Sequence, residues 1–277
     1  MNDATFLIEA RALALELGLL AARRLQQARA TSLEVEEKAP GDWCSALDRE
    51  VEALLRQGIA ARYPQHRFWG EEGSGGTPSA ADLQGQRVWV VDPIDGSMNF
   101  LRGYPQYAVS IALLEDTQPV VACIVDPVRG EAFTAARGLG ATCNGQPLAV
   151  ATTPQLAQAV AATVFPKPQA AFMDTYLQEL SRVMRQVAGV RRAGSMALEL
   201  AYLAAGRIDV FWERGMGAWD AAAGLLLIEE AGGQLWSLDG QPWYAASALA
   251  ASNPALRGAW QALWPSVGDP DLRGRSP

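Results

Sequence analysis

The run Val88-Trp89-Val90-Val91, followed at once by Asp92-Pro93-Ile94-Asp95-Gly96, restricts this chain more than any other stretch. β-branched and aromatic residues bounded by polar ones read as a buried strand, with Asp92 at its C-terminal end. Pro93 fixes its own φ and lacks an N–H, and Gly96 tolerates backbone geometry that other residues resist. The segment between the two aspartates is therefore expected to be a rigid turn. Both carboxylates can then face one pocket, an arrangement suited to a divalent cation. Ser97 and the residues after it open a helix, whose first N–H groups and positive dipole end suit a phosphate. The same residues also admit a plainer account, an Asp-rich turn whose carboxylates cap backbone amides.

Composition narrows the chemistry. With 277 residues and 49% hydrophobic content the chain can bury a large core as one big domain or two packed halves. A formal charge of −7 argues against electrostatic attraction to nucleic acid or to an anionic membrane, so neither is an expected partner. One histidine, His66, is too few for most transition-metal sites, which leaves oxygen ligands and a hard ion. Cys44, Cys123 and Cys143 are widely spaced and odd in number, as expected of reduced buried thiols in a cytoplasmic protein. Glu9, Arg11, Glu16, Arg23 and Arg24 interrupt the N-terminal apolar pattern, which disfavours a signal peptide or a membrane helix.

Apolar spacing predicts a long amphipathic helix from Asp3 to about Ala30 and a second from Asp48 to about Tyr63. Glu72–Ser79 reads as a flexible loop, and Asp269–Pro277 as a poorly ordered tail. Tyr107–Leu114, Gln118–Asp126 and Glu131–Ala135 read as consecutive strands of an antiparallel sheet. From about Ala151 short strands alternate with Ala-rich helices: Ala159–Val164, Phe172–Ala188, Met196–Ala205, Ile208–Trp212, Ala221–Ala231 and Gly233–Trp236. Residues 1–150 are thus expected to form an α+β half holding most of the acidic cluster, and residues 151–277 an α/β half that completes the site.

Three further segments accompany the central one. Phe68-Trp69-Gly70-Glu71-Glu72 places paired acids after a short apolar strand, where they can be solvated loop acids or ligands. Trp219-Asp220 precedes an Ala-rich helix that ends at Gly232-Gly233, so Asp220 also reads as a helix N-cap. Lys38-Ala39-Pro40-Gly41-Asp42-Trp43-Cys44-Ser45-Ala46-Leu47-Asp48 ends in an acid that equally suits an N-cap.

The string Asp92-Pro93-Ile94-Asp95-Gly96-Ser97-Met98-Asn99-Phe100 resembles the Asp-Pro-Ile-Asp-Gly-Thr-x-Asn-Phe signature of the inositol monophosphatase family, a group of magnesium-dependent phosphatases. Gly70-Glu71-Glu72, Trp219-Asp220 with Glu230-Ala231-Gly232-Gly233, the Lys38–Asp48 segment and Arg192-Ala193-Gly194-Ser195-Met196-Ala197-Leu198 are similar to further family segments, in the family's order. The resemblance implies a layered α-β-α-β-α sandwich and hydrolysis of a phosphate monoester of inositol or a related polyol or sugar. Fructose bisphosphate, histidinol phosphate and nucleotide 3′,5′-bisphosphates are the alternatives among relatives. It implies one Mg²⁺ on Glu71, Asp92 and the Ile94 carbonyl, and another on Asp92, Asp95 and Asp220. Glu71 then helps activate the attacking water, Ser97 orients it, and Ser45 and Asp48 support from behind. Asp95, Gly96, Ser97, Gly194, Ser195, Glu213 and Asp220 border the substrate. Lithium inhibition, a homodimer and, for some bacterial relatives, a regulatory contact with the transcription machinery are further implications. Serine stands at Ser45 and Ser97 where the family has threonine, which keeps each hydroxyl and drops a methyl that limits rotamers. Met98 stands where threonine is common, beside the site, and so bears on fine substrate preference.

Overall fold

The computed structural model describes residues 3–28, 35–39, 42–73 and 79–264. The expected tail Asp269–Pro277, most of the expected loop Glu72–Ser79 and part of Lys38–Asp48 lie outside them. Helices are α1 (Asp3–Ala28), α2 (Ala46–Arg62), α3 (Ala80–Leu83), α4 (Ser97–Arg102), α5 (Met173–Met184), α6 (Met196–Ala204), α7 (Ala218–Glu230) and α8 (Arg257–Gln261). Strands β1 (Val35–Ala39) and β2 (Asp42–Ser45) form a hairpin. A seven-stranded sheet runs in sequence order through β3 (Arg67–Gly70), β4 (Arg87–Asp95), β5 (Ala108–Glu115), β6 (Gln118–Asp126), β7 (Glu131–Ala136), β8 (Ala141–Cys143) and β9 (Gln146–Pro147). The second sheet takes β10 (Val160–Ala162), β11 (Gly189–Arg191), β12 (Val210–Arg214), β13 (Gln234–Ser237) and β14 (Ala248–Ser252) in the order β11-β10-β12-β14-β13.

Side-chain alternation builds five layers. On β4, Trp89 and Val91 pack with α1 and α2, whereas Val88 and Val90 face α6 and α7. On β12, Phe211 faces the same middle helices, and Val210 and Trp212 pack with Tyr176 of α5 and Trp260 of α8. The order is helices, seven-stranded sheet, α6 and α7, five-stranded sheet, helices, which is the expected α-β-α-β-α sandwich. Coverage on both faces is why β4 and β5 are buried almost throughout rather than on alternate residues.

Several elements depart from expectation. The expected strands β5, β6 and β7 do pair antiparallel, but the sheet as a whole is mixed, because β3 runs parallel to β4. The expected helix Phe172–Ala188 stops at Met184, and the chain then enters β11. His66 is structural: its ring stacks on Tyr63 at 4.6 Å, and Nδ1 accepts the Trp89 indole N–H at 3.1 Å. Among the described residues no helix is long and apolar enough to cross a membrane; Cys44 and Cys123 are buried, whereas Cys143 is only half-buried.

Candidate active site

Instead of turning after Asp92, the chain continues as β4 to Asp95. Asp92 pairs with Ser110 and Asp95 with Ala108, so three steps on β4 oppose two on β5. This is a one-residue bulge. Residues three apart on a regular strand point to opposite faces, and the extra residue returns Asp95 to the face that carries Asp92. Pro93 sits inside the irregularity, where its missing N–H costs no regular ladder bond. The Asp92 carboxylate accepts the Ile94 N–H at 2.9 Å, which fixes its direction.

Asp220 approaches from the middle layer. It is the third residue of α7, and its carboxylate accepts the N–H of Gly217, the actual N-cap, at 2.6 Å. Asp92, Asp95 and Asp220 each offer an oxygen lying within 4.8 Å of the others. Glu71 follows β3, with its N–H on the Val91 carbonyl at 3.2 Å. Burial, then the charges of Glu71, Asp95 and Asp220, push the Asp92 carboxyl well above its usual range. Burial and the charges of Asp95 and Glu71 do the same to Asp220. Burial also lifts Asp95, but the Ser195 hydroxyl and the N–H groups of Ala197 and Met196 oppose it, leaving a value of about 6. An all-oxygen donor set of this kind, electrostatically frustrated when empty of charge partners, fits a hard divalent cation.

Behind the cluster, Ser45 rather than Asp48 caps α2. Asp48 is the third helical residue, and its Oδ2 accepts both the Ser45 N–H at 2.8 Å and the Ser45 hydroxyl at 2.7 Å. Its other oxygen faces the Ser97 hydroxyl at 3.0 Å, and that hydroxyl is also 2.8 Å from the Ile94 carbonyl. With its proton directed to these two acceptors, Ser97 keeps lone pairs for a water molecule. Ser97 opens α4 directly after Gly96, whose φ is +91°.

On the side facing the second sheet, Ser195 caps α6 and donates to Asp95, while Ala197 N–H reaches Asp95 at 2.8 Å and Met196 N–H at 3.2 Å. Asp95 is thus tied to both layers. A Cβ on Gly96 would lie 3.0 Å from the carbonyls of Gln106 and Gly194, so the two glycine turns abut. Glu213, on the same face of β12 as Phe211, is buried with Oε2 lacking a partner. Burial, then Asp220, Asp95 and Glu199, push its carboxyl well above the usual range.

The structure brings every expected site residue to this one region. Three further participants had no role assigned from sequence. Asn99 donates to the carbonyls of Gln106 at 2.7 Å, Ala193 at 2.8 Å and Gly194 at 3.2 Å, stitching the two turns together. Glu199 accepts the Ala193 N–H at 3.1 Å, and burial raises its carboxyl to about 7. An acid inside the apolar helix Met196–Ala204 was the available signal for it. Glu52, one helical turn beyond Asp48, accepts the N–H of Glu72 at 2.8 Å.

The inositol monophosphatase family matches residues 4–266. An inositol-1-monophosphatase of Rhizobium meliloti (strain 1021) is 44% identical over 210 residues, 76% of this chain and 77% of the relative. A Nus factor SuhB of Pseudomonas aeruginosa is 43% identical over 205 residues, 73% of this chain and 74% of that protein. The crystal structure of extragenic suppressor protein suhB from Bartonella henselae superposes with a TM-score of 0.85 at 35% identity, covering 92% of this chain and 98% of that one. Matched by the family model over residues 4–266 and by relatives 44% and 43% identical to it, this chain belongs to the inositol monophosphatase family of phosphoric monoester hydrolases.

Proposed function

We propose that the chain hydrolyses the phosphate monoester of inositol or a related polyol or sugar, with Mg²⁺ as its cofactor. The observation that carries this reading is the meeting of Asp92, Asp95 and Asp220 oxygens within 4.8 Å, beside Ser97 and its Asp48 support. Glu71, Asp92 and the Ile94 carbonyl would hold one ion and Asp92, Asp95 and Asp220 the second, with Asp92 shared. Ions so held supply charge stabilisation to the attacking and leaving oxygens of an in-line displacement. Glu71 takes a proton from the attacking water, and Ser97 orients that water through its free lone pairs. N–H groups in the first turn of α4 receive the phosphoryl oxygens. The unpartnered Glu213 oxygen accepts a substrate hydroxyl, which favours polyols over esters lacking one. Relatives named inositol-1-monophosphatase support the inositol class.

The test is Mg²⁺-dependent phosphate release from a panel that includes inositol monophosphates, sugar phosphates, fructose bisphosphate, histidinol phosphate and a nucleotide 3′,5′-bisphosphate. Highest kcat/KM on a polyol monophosphate, inhibited by lithium, is the expected outcome. Absence of Mg²⁺-dependent release from every compound refutes the reading. Similarity to proteins named Nus factor SuhB supports a second reading, a contact with the transcription machinery. Release of no phosphate, together with direct binding to purified RNA polymerase, would favour it.

A further inference from the structure

The geometry points to Glu52 as a positioning residue for Glu71, so that one face of α2 sets both the water-orienting side and the Glu71 side of the site. This inference rests on the reading that Glu71 ligates a cation. Asp48 and Glu52 are one helical turn apart and share a face of α2. Asp48 supports Ser97. Glu52, only 4% exposed, reaches the opposite flank: one carboxylate oxygen accepts the Glu72 N–H at 2.8 Å, and the other pairs with Arg56 at 2.9 Å. The Arg56 guanidinium in turn lies 4.4 Å over the Phe68 ring on β3.

Two glycines make room for this pair. A Cβ on Gly70 would collide with the Glu52 carboxylate, and one on Gly73 would stand 2.7 Å from both Glu52 and Arg56. Glycines on either side of Glu71-Glu72 are therefore explained by the buried Glu52 carboxylate and its exposed partner Arg56 lying against the backbone there. The backbone at Glu71 is held on one flank by the Val91 carbonyl and on the other by Glu52 through Glu72. With both anchors in place, the Glu71 side chain starts from a fixed Cα next to Asp92. Loss of the Glu52 anchor frees one flank, and the effect falls on cation affinity rather than on substrate contacts.

The experiment titrates metal-free wild type, Glu52→Gln, Glu52→Ala and Gly70→Ala with Mg²⁺, following the rise in thermal midpoint and tryptophan fluorescence, with phosphate release measured in parallel. Glu52→Ala is expected to raise the half-saturating Mg²⁺ concentration by about tenfold, the lower end of what groups supporting metal ligands contribute. Glu52→Gln keeps an oxygen for the Glu72 N–H and should shift less, while Gly70→Ala, which displaces the carboxylate, should mimic Glu52→Ala. At saturating Mg²⁺ the KM should match wild type and kcat should recover. Lower thermal midpoints with unshifted Mg²⁺ dependence would make Glu52 a stability anchor only and overturn the inference. If Glu52→Ala does not fold, the Mg²⁺ dependence of Glu52→Gln and Gly70→Ala decides in its place. A wild type that binds Mg²⁺, with variants that match it, sinks this inference alone; a wild type that binds none sinks the proposed function as well.

Discussion

Replacing Asp92 by Asn should do two opposite things: remove Mg²⁺-dependent hydrolysis and stabilise the metal-free protein. The amide keeps an oxygen for the Ile94 N–H, so the local bulge survives. What disappears is one charge from a buried set whose oxygens lie within 4.8 Å of each other. At an effective dielectric of about 20, each fully ionised pair at that separation repels by about 3.5 kcal/mol. Part of this is already relieved, because the raised carboxyls of Asp92 and Asp220 hold protons that free carboxyls would have lost. The realised gain at pH 8 is therefore expected to be about 1–3 kcal/mol, below the full Coulomb term.

The gain also depends on pH. A carboxyl raised on folding binds more protons in the native than in the unfolded state, so stability falls as pH climbs from the unfolded carboxyl range to the raised value. Asp92→Asn should accordingly match wild type near pH 4 and exceed it at pH 8. Denaturant unfolding in EDTA at both pH values measures the difference, and phosphate release with Mg²⁺ measures activity. An Asn variant with substantial turnover would refute the sharing of Asp92 between ions. One no more stable than wild type at pH 8 would refute the claim of frustrated carboxylates.

Four other outcomes follow from the same contacts. Glu199→Gln keeps an acceptor for the Ala193 N–H but removes a carboxyl raised to about 7, so it should stabilise at pH 8 and not at pH 4 in thermal melts. Ser195→Ala strips a cap from α6 and a donor from Asp95; denaturant unfolding should show a loss of about 1–3 kcal/mol. Because ligand carboxyls must shed protons to bind, with Asp95 raised to about 6 and Asp92 and Asp220 held well above their usual range, wild-type Mg²⁺ affinity, read by calorimetry, should rise from pH 5 to pH 7 and go on rising above it. Arg214→Met leaves Glu179 of α5, 3% exposed, without the guanidinium that grips both its oxygens, and should cost about 3–5 kcal/mol by chemical denaturation.

Local chemistry made much of this molecule readable in one dimension. The helices over Asp3–Ala28 and Ala46–Arg62, the strand Gln118–Asp126 and the motif acids all announce themselves through periodicity or residue type, because burial of an apolar face leaves a repeat in the chain. Strand β14, Ala248–Ser252, left no such mark: an Ala-rich segment has weak strand propensity, and only its place between β12 and β13 makes it a strand. The acids Asp92, Asp95 and Asp220 could be named from the chain, but their convergence required the bulge that turns Asp95 back to the Asp92 face and the helix that delivers Asp220 from another layer. Glu52 and Asn99 were invisible as participants because they bond backbone groups of distant segments, which any sequence could supply and only packing brings within reach, whereas Glu199, bonded to nearby Ala193, showed only as an acid in an apolar helix. Residue identity thus fixed which chemistry was available, while long-range register and layer packing decided which carboxylates meet, since proximity between segments far apart in sequence is a property of the folded core alone.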